Sequence, residues 1–149
     1  MDVSKINSLV ELYFKKVEQI DKKKPFLQWL NPKNNHQYNW AEVTEKIYKL
    51  SYKIKSLIKD GDRILLLSEN RPEWLIADLA IMNAGGITVP IFTTYAERDY
   101  EYILKDCSPS LIVVSNDIQF EKIDKFIDNQ EIISFEKIKT SSITFESIF

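Results

Sequence analysis

Apolar residues in the first third of the chain recur every three to four positions, with one short stretch of a different pattern between them. Residues 4–20 carry an apolar stripe that starts after Ser4, which predicts a capped amphipathic helix. Residues 26–30 and 37–38 predict two short strands joined by a turn over 31–35, where Asn, Pro and Lys cluster. The chain is therefore expected to open with a helix and a β-hairpin.

A second helical stripe follows the hairpin. Asn39 precedes it and Glu42 lies three positions later, which is the spacing of a capping box. The apolar positions from Trp40 to Ile58 then fall on one face. The turn-forming run Asp60-Gly61-Asp62 predicts the end of this helix.

Beyond residue 63 the apolar positions no longer alternate with polar ones but form four short continuous runs. Such runs are typical of strands that are covered on both faces of a parallel sheet. They start 23, 24 and 20 residues apart, and each gap contains a helical pattern. The runs are 64–67, 87–91, 111–114 and 131–135, and the helical patterns cover 70–84, 94–107 and 117–128.

Local signals mark the ends of two of these helices. Pro72 lies in the first turn of the helix over 70–84, and Gly85-Gly86 follow its last turn. Thr94 and Glu97 have the spacing of a capping box at the start of the next helix.

Strand and helix in regular alternation predict an α/β fold. We expect a mostly parallel β-sheet with helices on both faces, doubly wound and three-layered, preceded by the N-terminal helix and the short β-hairpin. The length of 149 residues suits a single domain. In this prediction residues 1–39 form the helix and hairpin, 40–139 the second helix and the βαβ units, and 140–149 a tail.

The composition argues against several classes of function. Twenty basic and 22 acidic residues leave a net charge of −2, which provides no basic field for nucleic acid. Only three of the twenty basic residues are Arg and the others are Lys, a proportion that indicates a solvated surface. One Cys and one His cannot build a disulfide framework or an ordinary zinc site. With three glycines in all, a glycine-rich loop that cradles phosphates is not expected.

Neither a leader peptide nor a transmembrane segment is expected. The first residues lack a basic region followed by an apolar run. The longest uncharged stretch, residues 79–96, contains the polar and turn-forming residues of a helix end, a turn and a strand. The scarcity of cysteine favours a reducing, cytoplasmic compartment.

Few side chains indicate catalysis by themselves. Asp60 and Asp62 are interpreted as turn and solvation residues. Cys107 lies 71 residues after the single histidine, His36, so a nucleophile pair would have to be assembled by the fold, and His36 is interpreted as exposed. Glu69 is a single carboxylate after the first parallel strand, where a phosphate-accepting receiver domain would have an acidic cluster.

Two further features receive structural interpretations. Gly85-Gly86 follow a helix and precede a strand, the reverse of the order in a dinucleotide-binding turn, so they predict a helix C-cap. Asp78 lies beside an apolar stripe of the helix over 70–84, and we expect it to contact Arg63, Arg98 or a loop N–H. The aromatic residues fall on stripes or in strands, which favours a core over a base-stacking platform.

Several stretches resemble motifs of the adenylate-forming (AMP-binding) enzymes, the superfamily of acyl-CoA synthetases, luciferases and peptide-synthetase adenylation domains. Residues 38–43 resemble the first core motif, aromatic-T-[WY]-x-E-L, with Asn39 and Val43 in place of Thr and Leu. Residues 70–91 resemble the N-x-P-E-W helix start and the A-x-x-x-A-G-[AG]-x-x-V-P second core motif. Residues 102–114 resemble the Y-I-L-x-[DH]-S pattern and following strand, similar to the long-chain acyl-CoA synthetase branch.

The resemblance implies an ATP-dependent ligase that activates a fatty acid as an acyl-adenylate and then forms a thioester with coenzyme A, using Mg²⁺. In the family, the phosphate-gripping loop, the adenine-binding motif, the ribose-binding Asp and the C-terminal lysine come later, and no position here matches them. The chain is therefore expected to be the amino-terminal part of a longer long-chain fatty acid–CoA ligase, inactive alone. No catalytic, cofactor-binding or metal-binding residue is assigned in it.

A stand-alone, non-catalytic α/β interaction or scaffold module is the alternative. For the ligase, the expected partners are the remainder of the ligase chain and the fatty acid substrate. A homodimer is also expected, formed through an uncovered apolar face, an open strand edge, or tail residues 141–149.

Overall fold

The structure, a computed structural model, describes residues 6–30 and 36–149. Within these residues no helix is long and apolar enough to cross a membrane. The strands are β1 (Pro25–Trp29), β2 (His36–Asn39), β3 (Arg63–Leu67), β4 (Ile87–Ile91), β5 (Leu111–Val114), β6 (Glu131–Ser134) and β7 (Ile143–Thr144). The helices are α1 (Leu9–Gln19), α2 (Trp40–Lys55), α3 (Pro72–Asn83), α4 (Glu97–Cys107), α5 (Asp117–Phe120) and α6 (Phe145–Ile148), with a 3₁₀ turn at Asp124–Phe126.

Five of the strands form one parallel sheet in the order β4-β3-β5-β6-β7. β3 is central to its first half, because Leu65 lies opposite Val89 of β4 on one side and Ile112 of β5 on the other. α3 packs on one face of this sheet and α4 on the opposite face. The predicted doubly wound α/β fold is confirmed.

Alternate residues of the strands enter two separate hydrophobic cores. Ile64, Leu66 and Val113 pack with α1, α2, α3 and α6 on one face, whereas Leu65 and Ile112 pack with α4 on the other. All five side chains are fully buried. Because both faces of the sheet are covered, the strands have no polar face, which explains their continuous apolar runs.

The hairpin packs against the core on the α3 face. β1 and β2 pair antiparallel, with Trp29 opposite His36, and the predicted turn over 31–35 lies outside the described residues. Phe26 stacks on Trp40, with ring centroids 3.7 Å apart. The hairpin is thereby fixed to the start of α2.

The first helix begins later than the predicted range. α1 starts at Leu9, and the Ser8 side chain caps it by accepting from the Glu11 N–H. The predicted cap, Ser4, lies outside the described residues.

The predicted start of α2 is confirmed. The Asn39 side chain accepts from the Glu42 N–H at 2.9 Å, and the Glu42 carboxylate accepts from the Asn39 N–H at 2.7 Å. The helix ends at Lys55 rather than at the predicted stop before Asp60. The chain instead turns at Ser56, whose N–H donates to the carbonyls of the last helical turn.

The capping box expected from Thr94 and Glu97 is wrong. α4 starts at Glu97 with Ala96 as its N-cap, and the Asp99 carboxylate accepts from the Ala96 N–H at 3.1 Å. The helix therefore starts two residues later than a Thr94 cap would place it, and an acidic side chain in its first turn satisfies the N-cap N–H.

The predicted helix over 117–128 is divided into two short pieces. α5 ends at Phe120, and the Ile123 N–H donates to the Phe120 carbonyl at 2.9 Å, which tightens the chain. Ile123 is fully buried in the core on the α4 face. Burial of this side chain therefore prevails over continuation of the α-helix.

The predicted tail completes the sheet. Ile143 pairs with Ile133 in β6, and Phe145 of α6 is only 4% exposed. The Lys49 ammonium of α2 donates to the Phe149 carbonyl at 3.2 Å. Residues 143–148 are consequently part of the packed fold.

Candidate functional site

The carboxyl ends of the parallel strands are the place where open α/β sheets bind ligands. The favoured crevice lies where neighbouring strands lead the chain in opposite directions, which here is between β3 and β5. Residues 68–71 follow β3, residues 92–96 follow β4, and residues 115–116 follow β5. These loops form the candidate site, here called the carboxyl edge.

Glu69 is the centre of a hydrogen-bond network at this edge. Its Oε2 accepts from Ser115 Oγ at 2.6 Å, and its Oε1 accepts from Gln119 Nε2 at 2.5 Å and from Asn116 Nδ2 at 3.5 Å. Asn116 Oδ1 in turn accepts from the Gln119 N–H at 3.2 Å. The network ties the loop after β3 to the start of α5.

These hydrogen bonds determine the charge of Glu69. Burial acts to raise the pKa of Glu69, but the hydrogen bonds from Ser115, Gln119 and Asn116 outweigh it and hold the pKa below its ordinary value. The carboxylate is therefore charged at neutral pH, and both oxygens are occupied. Since its hydrogen bonds from three side chains fix the position of the carboxylate within the fold, we interpret Glu69 as a structural anion.

Lys122 extends the network to a third loop. Its ammonium donates to Gln119 Oε1 and to the Thr93 carbonyl, both at 2.7 Å. Phe92 lies in the same loop as Thr93, and its carbonyl accepts from the Tyr100 hydroxyl of α4 at 3.0 Å. The loops after β3, β4 and β5 are thus joined by one connected set of hydrogen bonds.

Arg71 anchors the other side of the edge. Its Nε donates to Glu73 at 2.8 Å and its Nη1 to Glu136 at 2.6 Å. The guanidinium lies 4.7 Å from the Trp29 ring centroid and 5.5 Å from that of Phe135, and the side chain is 9% exposed. Arg71 is therefore not the solvated cation that the composition indicated, because it joins the hairpin, α3 and the segment after β6.

The environment of Arg71 keeps it charged. Burial acts to lower the pKa of the guanidinium, but hydrogen bonds and attraction from Glu73 and Glu136 outweigh that effect and raise the pKa above its ordinary value. Two carboxylates and two aromatic rings of this chain surround the cation, so its position is fixed by contacts within the fold.

A crevice of about 480 Å³ opens beside Glu69 between the loops after β3 and β4. Trp74 and Phe92 provide apolar surface, and Phe92 is 69% exposed. Ser68 also lines the crevice, but its hydroxyl already donates to the Glu69 carbonyl at 2.8 Å. A crevice of this composition suits the apolar part of a small molecule.

A wider groove of about 1090 Å³ lies at the opposite, amino-terminal edge of the sheet, between α2 and residues 142–148. Two of its polar groups bond each other, because Asn83 Nδ2 donates to Ser51 Oγ at 2.9 Å. The described residues that line this groove include no carboxylate, histidine or cysteine, so its size does not make it the better candidate for chemistry.

The described residues 6–30 and 36–149 contain no group of side chains placed to bind a metal ion. No three side chains of His, Cys, Asp and Glu in these ranges lie close enough to hold a metal ion. The residues present therefore do not fit a Mg²⁺ site, and no step of the chemistry is assigned to a metal in this segment.

The turn interpretations from the sequence are confirmed. Asp62 Oδ2 accepts from the Lys59 N–H at 2.9 Å, and Asp60 pairs with Lys55. Gly85 has φ +88°, in the left-handed region, and forms the turn after α3.

Cys107 and His36 do not meet. Cys107 is buried in the core on the α4 face, and this burial raises the pKa of its thiol. His36 is exposed in β2, where its ring lies 4.4 Å from that of Tyr38. Because the hairpin packs on the opposite face of the sheet, the structure excludes a nucleophile pair between them.

The predicted partners of Asp78 are wrong. Arg63 donates to the Cys107 carbonyl, and Arg98 pairs with Asp99 at 3.8 Å. Asp78 itself is half-buried, and in the part of the chain that the structure describes it has neither a hydrogen bond nor an ion pair.

Sequence reasoning missed most of the network at the carboxyl edge. It noted Glu69 but not its partners in residues 115–119, nor the pairing of Arg71 with Glu136. One signal was available: polar runs follow both β3 and β5, whose carboxyl ends lie side by side in a parallel sheet.

Comparison with known proteins identifies the family. The family model for the AMP-binding enzyme matches residues 14–147. The chain belongs to this family. A long-chain-fatty-acid–CoA ligase of Gallus gallus, ACSBG2, is 35% identical over 96 residues, which are 60% of this chain and 12% of that protein. FadD15 of Mycobacterium bovis, also a long-chain-fatty-acid–CoA ligase, is 32% identical over 78 residues, 52% of this chain and 13% of that protein.

Two solved structures share the fold of this chain. The luciferase-like enzyme of Zophobas morio superposes with a TM-score of 0.81 at 20% identity, over 99% of this chain and 35% of that one. The anthranilate CoA ligase AuaEII, in complex with anthranoyl-AMP, gives 0.77 at 21% identity, over 98% of this chain and 28% of that one. The chain thus spans about a third or less of these proteins, and the resemblance predicted from the sequence motifs is confirmed.

Proposed function

We propose that this chain is the amino-terminal part of an ATP-dependent long-chain fatty acid–CoA ligase. The observation that carries the proposal is the family match over residues 14–147 together with curated relatives that are long-chain-fatty-acid–CoA ligases. In the proposed reaction, a fatty acid carboxylate attacks the α-phosphate of ATP and releases pyrophosphate. The thiol of coenzyme A then attacks the acyl carbonyl, forms the thioester, and releases AMP.

In this proposal the segment positions loops and does not carry the phosphate chemistry. Glu69 and Arg71, the charged groups best held at the carboxyl edge, are already hydrogen-bonded to other side chains of this chain. Chemistry at a pentavalent phosphate needs donors aimed at the developing charge. We assign the binding of ATP, Mg²⁺ and coenzyme A to the rest of the ligase polypeptide, with the crevice beside Glu69 facing it.

A chimeric enzyme tests the proposal. The amino-terminal segment of Mycobacterium bovis FadD15 that corresponds to the whole span of the family model would be replaced by residues 14–147 of this chain. Palmitoyl-CoA formation from palmitate, ATP and coenzyme A would then be measured. We expect activity well above that of FadD15 lacking the segment. A chimera that unfolds cooperatively, and is therefore folded, but forms no palmitoyl-CoA would contradict the proposal.

The saturated Glu69 network also fits the second candidate, a stand-alone α/β interaction module without catalysis. A module of this kind needs rigid loops but no free acid, base or nucleophile. The chimera separates the two candidates, because an interaction module has no reason to restore ligase activity.

A further inference from the structure

Two polar side chains beside the outer edge of β4, one on the strand and one on α3, have no partner among the described residues. Thr88 Oγ1 is buried, and among residues 6–30 and 36–149 it has no hydrogen-bond partner. Asp78, half-buried on α3, has no hydrogen bond or ion pair in the same ranges. Both line a groove of about 370 Å³. The Thr88 hydroxyl is an exception to the pairing of buried polar groups and shows that this part of the edge is not fully satisfied by the described residues. The Asp78 carboxylate is only half-buried and has no opposite charge beside it in these ranges, so it is open to a cation from outside the chain.

The groove, here called the edge groove, has a carboxylate between apolar walls. α3 contributes a stripe at helical spacing, and β4 contributes its exposed edge, where Ile87 is 53% exposed. Apolar walls accept the aliphatic stem of a lysine or arginine, and a carboxylate beside an aromatic ring accepts its charged head. The groove is lined by Trp74, Asp78, Met82, Ile87, Thr88 and Pro90.

The backbone of β4 is able to pair with one more strand, over a short distance. β4 is the last strand on its side of the sheet. The Ile87 N–H donates inward to the Asp62 carbonyl at 2.8 Å, and successive residues of a strand direct these groups to opposite sides. Thr88 therefore presents its N–H and carbonyl outward. Pro90, the next outward position, has no N–H, so pairing is limited to the region of Thr88.

We propose that the edge groove binds an extended segment of the remaining ligase polypeptide, which pairs with β4 at Thr88 and places an arginine or lysine against Asp78. The source of the segment rests on the proposed function, whereas its chemistry follows from the uncompensated carboxylate. A second copy of this chain is a poor occupant, because pairing of β4 with its copy around Thr88 would bring two Asp78 carboxylates together.

A peptide probe tests the chemistry of the groove on the chain itself. The probe is a capped heptapeptide of alternating valine and threonine with a central arginine, and its control has citrulline, the neutral isostere, at the centre. Binding would be followed by ¹H–¹⁵N NMR at the Thr88 amide and the Trp74 indole. We expect the arginine peptide to shift both signals and to bind about fivefold more tightly than the citrulline peptide.

Substitutions assign the effect to the groove. Asp78→Asn should remove the preference for arginine, whereas Asp106→Asn, the same charge change at an exposed position on α4, should preserve it. Thr88→Val should raise the thermal unfolding midpoint, because it removes a buried hydroxyl that has no partner. Equal affinity for the two peptides, a preference retained by Asp78→Asn, or shifts confined to another surface would overturn the proposal.

The outcome is independent of ligase activity. Peptide binding to the edge groove can fail while the chimera with FadD15 forms palmitoyl-CoA, and this would reject the groove alone. Arginine-dependent binding with an inactive, folded chimera would instead support the groove and reject the ligase as the source of its partner.

Discussion

Glu69 shows how one residue can be essential to a site without taking part in chemistry. Its carboxylate accepts hydrogen bonds from Ser115, Asn116 and Gln119, which follow a different strand of the sheet. Loss of a charged acceptor leaves several of these donors unsatisfied in a partly buried place. The contribution of Glu69 to the fold should therefore be measurable as a change in the free energy of unfolding when the carboxylate is removed.

We expect Glu69→Ala to lower the free energy of unfolding by about 1–3 kcal/mol, measured by urea denaturation at pH 7. Glu101→Ala is the matched control, since that carboxylate pairs with Lys105 one turn along the solvent-facing side of α4, and its loss should cost about 0.3–0.5 kcal/mol. Equal costs for the two substitutions would show that the network at Glu69 contributes no more than a surface ion pair.

The stabilisation by Glu69 should depend on pH. Because the pKa of Glu69 is lowered in the folded chain, its contribution is present above the ordinary value of 4.5 and is lost as the pH falls through the folded value. The difference in unfolding free energy between the wild type and Glu69→Gln should therefore be constant from pH 7 to about pH 5 and shrink below pH 4. A difference that grows on acidification would contradict this assignment.

At the scale of elements, the sequence predicts those helix starts and strands that depend only on neighbouring residues. The capping box at Asn39 and the runs that form β3 and β5 depend on neighbours in sequence, so their patterns are directly readable. The start of α4 and the division of the 117–128 segment depend on which side chains the core buries, Ile123 among them. No local sequence pattern shows which of these side chains the core will bury.

The capping box of α2 provides a test at this scale. Asn39→Ala removes the side chain that accepts from the Glu42 N–H, and we expect a loss of about 1 kcal/mol in unfolding free energy. Asn39→Asp keeps an acceptor at the same position and should retain most of the stability. If both variants were equally destabilised, the contribution would come from the hairpin and not from the cap.

For the whole molecule, the sheet was predictable from sequence and the candidate site was not. Glu69 and Ser115 are 46 residues apart, and Arg71 and Glu136 are 65 apart. Such pairs form only after the strand order brings the carboxyl ends of β3, β5 and β6 together. The parallel order could be expected from the alternation of elements, but the choice of neighbours in it could not.

The predicted homodimer is best assigned to the wide groove between α2 and residues 142–148. Tyr52 lines this groove and is 83% exposed, and the tail that was expected to mediate dimers forms its other wall. We expect sedimentation velocity across a concentration series to show reversible dimers. Tyr52→Lys should shift the equilibrium to monomer, and Tyr102→Lys, at a residue 68% exposed on α4, should not.

The most direct measurement is palmitate-dependent exchange of pyrophosphate into ATP, made in parallel on the isolated chain and on the FadD15 chimera. If this segment is the scaffold of a ligase whose phosphate chemistry lies elsewhere in the polypeptide, the chimera exchanges pyrophosphate and the isolated chain does not. Isothermal titration of the isolated chain with Mg-ATP should likewise give no appreciable binding. Micromolar ATP binding or measurable exchange by the isolated chain would contradict this division of roles.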